Sequence, residues 1–185
     1  GVSHFLEHMF FKGTKKRPTA LAVAEELDKV GGIYNAFTDE EYTGYFAKVK
    51  ADHFNLALDW VSDIFLNSKL SPNEIKKEKG VIIEEINMYY DNPMHYVQIL
   101  WKELLYGDQR AGLNIAGTKE AVLNINEKKL KDYREGQYVG SNTIVCVAGK
   151  IEDSKIIKDI EQYFFKMKKS LPFKKQKVIE QQTKP

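Results

Sequence analysis

The sequence predicts an α+β domain in which several helices pack on a mainly antiparallel sheet. Three observations carry that prediction. Apolar residues recur at helical spacing through most of the chain. Two β-prone stretches flank a turn at Asp39-Glu40. A continuous run, TIVCVA, occupies Thr143 to Ala148 and suits a buried strand. The length of 185 residues is enough for one domain with a substantial core.

Residues 3–11 read as a short helix ending near Gly13. Pro18-Thr19 starts a second helix, with Leu21, Ala24, Leu27 and Val30 on one face and Gly31-Gly32 as its stop. Ile33 to Thr38 and Glu41 to Val49 read as the strands of a hairpin. Phe54, Leu58, Val61 and Phe65 mark the inner face of a third helix. Ser71-Pro72-Asn73-Glu74 is a helix start: Ser71 as cap, Pro72 in the first turn, Glu74 completing a capping box. That helix should run to about Tyr90, where Asp91-Asn92-Pro93 interrupts it, and another follows over roughly 94–106. Irregular chain to Gly117 precedes two shorter helices within 118–138. Asp153 to Met167 is amphipathic, with Ile156, Ile160 and Phe164 facing inward. Residues 1–167 thus form one domain, and 168–185 turn basic and polar as a tail or linker.

Composition excludes several functions. Lys+Arg 28 against Asp+Glu 26, with no basic block beside an aromatic platform, argues against nucleic acid as partner. No apolar run is long enough to span a membrane. Cys146 is the only cysteine, so neither an internal disulfide nor a thiolate cluster is available. That usage fits the cytoplasm, or an organelle matrix. Gly1 stands only three residues before His4, so the chain is expected to lack its natural beginning, and a missing targeting segment carries little weight.

The chemistry is concentrated in GVSHFLEHMF. On a helix, His4 and His8 are one turn apart and can converge on one metal ion. Glu7 borders the same face, close enough to act on a water held there. This H-x-x-E-H order is the inverse of the H-E-x-x-H zinc-protease motif. Two histidines do not complete a catalytic zinc site, which has three protein ligands and an open position. Candidates for the third lie in KKEKGVIIEEINMYY, where Glu78, Val81, Ile82, Glu85 and Tyr89 share a helical face. Glu84 is turned from Glu85 by about 100°. Carboxylates on a partly apolar stripe need a partner. Spacing alone leaves open whether that partner is a metal or surface lysines. His53 and His95 lie outside any ligand spacing and read as structural or surface residues.

HFLEHMFFKGT, NAFTDEEYTGYFAKV and KEKGVIIEEINMYYDNP, followed by GTKEAV and TIVCVAGKIE, resemble the pitrilysin or insulinase-type zinc peptidases. The similarity covers most of residues 1–165 and is greatest to mitochondrial processing peptidase-like and bacterial members. The resemblance implies the fold of their N-terminal half-domain and one Zn2+ held by His4, His8 and Glu85. It further implies Glu7 as general base, Glu78 behind the ligands, and Asn35 and Ala36 on the strand that contacts a peptide substrate. It also implies a second homologous half that encloses the site and has no counterpart in this chain. A non-catalytic peptide-binding or assembly subunit of the same family is the alternative. A purely structural zinc domain fits less well, because a closed structural site needs no adjacent base such as Glu7.

Overall fold

The first element is a helix whose apolar face is fully sequestered. Phe5, Leu6, Met9 and Phe10 fall on one side of α1 (Val2–Phe10) and are buried with it. The computed structural model describes residues 1–180, apart from the side chains of residues 153 and 154. After α1 come α2 (Ala20–Asp28), the strands β1 (Ile33–Thr38) and β2 (Thr43–Lys48), and α3 (Phe54–Asn67). They are followed by α4 (Pro72–Asp91), α5 (Pro93–Tyr106), α6 (Lys119–Leu123), α7 (Glu127–Gln137) and α8 (Asp153–Phe164). β1 and β2 pair antiparallel, with Asn35 opposite Phe46 and Ala36 opposite Tyr45. The α+β expectation holds, in a mostly helical form with a two-stranded sheet among the described residues. No helix among those residues is long and apolar enough to cross a membrane.

The core has two parts. In the first, the inner face of α1 packs on Ile75, Ile82 and Ile86 of α4 and on Val122 and Leu130. Burying that many large aliphatic side chains, each worth about 1.5–3 kcal/mol, fixes α1 rigidly against α4. In the second, Val23 and Leu27 of α2 meet Trp60 and Ile64 of α3. The indole N–H of Trp60 donates to the Val23 carbonyl at 2.7 Å. Gly13, at φ +121, lets the chain leave α1 sharply; a Cβ there would sit 2.7 Å from the Pro18 carbonyl oxygen.

Four expectations need correction. Thr143 to Ala148 is not a strand: Ile144 is 88% exposed and the run has no hydrogen-bonded neighbour strand among the described residues. β propensity alone cannot make a strand without an edge to pair with. On α2 the buried pair is Val23 and Leu27, while Leu21 is exposed. On α3, Trp60 and Ile64 are buried and Phe54, Val61 and Phe65 only partly so, because the helix turns its indole toward α2. Ser71 stands at the N-cap of α4 but makes no capping hydrogen bond, and Glu74 pairs with Lys77 instead. Residues 168–180 carry no helix or strand, and 181–185 of the expected tail lie outside the described residues.

The loop after α1 is anchored by charge. Arg17 is 1% exposed, and its guanidinium reaches Glu26, Asp59 and Asp63. The Thr14 hydroxyl also donates to Asp63, at 2.6 Å. Removing one member of a buried ion pair strands the other. Arg17→Met is therefore expected to cost about 3 kcal/mol in urea unfolding. Lys16→Met, on the same Asp59 from a more exposed position, should cost under about 1 kcal/mol. Equal losses would show that the buried network is not what holds the loop.

Candidate active site

α1 and α4 lie against each other, and their facing residues bring two histidines and a carboxylate together. The rings of His4 and His8 are 4.7 Å apart at their centroids. One ligand atom from each of His4, His8 and Glu85 can be chosen so that all lie within 4.8 Å of one another. His8 Nε2 is 3.4 Å from Glu85 Oε2, and His4 Nε2 is 3.5 Å from Glu85 Oε1. These are long for hydrogen bonds, which centre on about 2.9 Å. Each is near the edge of a coordination tetrahedron, about 3.4 Å for two atoms each about 2.1 Å from one zinc, and each histidine reaches it through a different oxygen of Glu85. Two imidazoles and a carboxylate without sulfur are a donor set that fits zinc.

The two rings are oriented differently. His8 Nδ1 lies 2.8 Å from Glu78 Oε1, and an N–H donated there leaves the Nε2 lone pair facing Glu85. Glu78 is itself 3% exposed, and its Oε2 is 2.7 Å from Lys12 Nζ. His4 is 8% exposed and its Nδ1 has no hydrogen-bond partner among the described residues, so its ring is set by packing and by the Nε2 contact with Glu85. Tyr89 donates its hydroxyl to Glu85 Oε1 at 2.8 Å, and the His95 ring sits 5.5 Å from the Tyr89 ring.

Charge is strongly coupled here. Burial disfavours a charged His8, but the interactions with Glu78 and Glu85 outweigh it and raise its pKa to about 9. His4 and His8 beside it, against the effect of burial, hold the Glu85 carboxyl well below the usual carboxylate range. Burial opposes ionisation of Glu78, and its hydrogen bonds to His8 and Lys12 prevail and lower it. Burial and the bond to Glu85 push Tyr89 up to about 12. Protonation and metal binding therefore compete for the His8 nitrogen.

Glu7 lies between the two histidines in sequence and is tied to the hairpin rather than to them. Thr38, the last residue of β1, donates its hydroxyl to Glu7 Oε2 at 2.5 Å. The Thr43 hydroxyl oxygen is 3.4 Å from that of Thr38. Asn35 and Ala36 are not part of the three-residue cluster. Asn35 is exposed, and its Oδ1 accepts the Ala36 N–H at 2.9 Å. Glu84 points away, exposed, with the Asn87 amide donating to it at 3.2 Å. Sequence reading missed Lys12 and Thr38 and gave Tyr89 no role. Lys12 follows His8 by four residues and Tyr89 follows Glu85 by four, a spacing that stacks side chains and could have flagged both. Thr38 is 31 residues from Glu7 and leaves no local signal.

Comparison with known proteins places this geometry. The family model described as insulinase (peptidase family M16) matches residues 1–119. An uncharacterised zinc protease of Bacillus subtilis, YmxG, is 46% identical over 164 residues, which are 89% of this chain and 40% of that protein. The mitochondrial-processing peptidase subunit beta of Dictyostelium discoideum is 32% identical over 92% of this chain and 36% of its own length. The chain thus spans about two fifths of the length of the curated relatives it matches. A protease from Helicobacter pylori shares the fold with a TM-score of 0.83 at 23% identity, over 96% of this chain and 42% of that one. With the match extending over well more than half of its residues, the chain belongs to the insulinase (M16) family of peptidases.

Proposed function

We propose that this chain is the zinc-binding part of a metalloendopeptidase that cleaves extended peptides or presequence-like segments. The observation that carries the reading is the convergence of His4, His8 and Glu85 within 4.8 Å, next to a glutamate on the same short helix. His4, His8 and Glu85 hold one zinc ion, and Glu78 fixes the His8 ring through Nδ1. When bound, zinc supplies Lewis acidity and lowers the pKa of a water to about 7. Glu7 accepts the proton of the attacking water and passes it to the leaving nitrogen. The Thr38 hydroxyl occupies Glu7 Oε2, which leaves Oε1 for that proton. The substrate adds along β1, where the strand offers backbone donors and acceptors and the positions of Asn35 and Ala36 meet it. A peptide adding at Ala36 displaces the Asn35 carboxamide from the Ala36 N–H. Residues 1–167 form the catalytic domain, and 168–185 lead toward a second homologous half that encloses the peptide.

Rate depends on holding the peptide in line with the attacking water as well as on the metal. The chain alone is therefore expected to bind zinc and hydrolyse a fluorogenic peptide slowly. Supplying the second half, in cis or as a separate chain at equal zinc occupancy, should raise kcat/KM at least tenfold, about 1.4 kcal/mol of transition-state stabilisation. A chelator should abolish the gain. Activity that survives complete zinc removal would overturn the metallopeptidase reading. Full activity of the chain by itself would overturn only the role given to the second half.

A further inference from the structure

We infer that Lys12 is a positioning residue for the metal site, acting on His8 through Glu78; this rests on the zinc reading above. Glu78 is 3% exposed, and each of its oxygens has one partner: Oε1 meets His8 Nδ1 at 2.8 Å and Oε2 meets Lys12 Nζ at 2.7 Å. An imidazole that gives its Nε2 lone pair to a cation is neutral, so its Nδ1–H supplies a hydrogen bond and no formal charge. Lys12 is then the full positive charge on a carboxylate that is otherwise sequestered. Without it the carboxylate is a costly buried charge, relieved by turning the side chain out toward water. That movement takes away the acceptor that orients His8. The consequence is large because nothing else compensates: His4 Nδ1 has no hydrogen-bond partner among the described residues, so the one hydrogen-bonded imidazole in the ligand set is His8.

Lys12 is placed for this by the end of α1. Its backbone N–H bonds to the Met9 carbonyl at 3.1 Å, which continues the helical path one residue beyond the Phe11 cap. That extension sets the lysine one turn past His8, on the side facing α4. Its side chain is 26% exposed, so the stem lies over the protein while the ammonium reaches Glu78.

The test is zinc affinity by chelator competition in the 185-residue chain, with five variants beside the wild type. Lys12→Met should weaken zinc binding about tenfold or more, the usual effect of losing a partner behind the ligands. Lys12→Arg keeps the charge and should recover most of the affinity. The Glu78→Gln/Lys12→Met double variant should bind no more weakly than Glu78→Gln alone, because both act through one hydrogen bond. In the zinc-loaded chain the Nδ1–H of His8 should be protected from exchange with water in the wild type, held by its hydrogen bond to Glu78, and should exchange faster in Lys12→Met. Wild-type affinity in Lys12→Met, no recovery with Arg, or additive losses in the double variant would each overturn the proposal. Glu85→Ala serves as the control for the underlying reading. If it keeps its zinc, the ligand set is wrong and this proposal falls with it. If it loses zinc while Lys12→Met does not, only the role of Lys12 is wrong.

Discussion

Glu7→Gln, in the complete enzyme, is expected to keep its zinc and lose peptidase activity by about 10²–10⁴-fold, the range that a positioned general base contributes. The substitution is nearly isosteric. The amide oxygen can still accept from Thr38, which holds the wild-type carboxylate at 2.5 Å, so the side chain keeps its place at the end of β1. What it loses is the capacity to take a proton, since its other terminal atom is now an NH₂ donor. Loss should therefore appear in kcat with KM little changed, the signature of an interaction needed only in the transition state. Zinc content and peptide binding on the purified variant separate this from a folding defect. Near-normal turnover with zinc bound would remove Glu7 from the chemistry and leave the chain without an identified base.

Much of this site was legible because it is built from short-range helix geometry. The four-residue separation of His4 and His8 fixes their common face once α1 is helical. The hairpin was equally readable: alternating stretches around Asp39-Glu40 gave both strands to within a few residues. What failed depended on which neighbour each face would find. Trp60 and Ile64 are buried because α2 lies beside them, a fact that periodicity within α3 does not contain. Thr143 to Ala148 has the composition of a buried strand, yet Ile144 is exposed and no strand pairs with it among the described residues. Resemblance named Glu78 behind the ligands, but its contact with Lys12 and the hold of Thr38 on Glu7 were invisible for the same reason. Glu78 joins His8 across 70 residues and Thr38 joins Glu7 across 31, and nothing local in the sequence encodes either bond.

Glu85→Ala is expected to weaken zinc binding more than 100-fold, beyond the loss from partners behind the ligands, while Glu84→Ala changes it by no more than about twofold. The two glutamates are adjacent, so the pair tests the phase of α4 rather than its composition. On a helix they diverge by about 100°. Ile82 and Ile86 are buried against α1, and Glu78 and Glu85 share that side of α4, seven residues apart. Glu85 consequently lies 3.4 Å and 3.5 Å from the two imidazoles, whereas Glu84 is exposed and touched by Asn87 on its own helix. Alanine at position 85 removes one of three ligands and frees the Tyr89 hydroxyl from its acceptor. Alanine at position 84 removes one surface contact. Metal content after dialysis against a weak chelator, with a thermal melt of each metal-free variant, decides between them. Equal loss would mean that α4 meets α1 through a different face, and an α4 rotated that far could not keep Ile82 and Ile86 in the core.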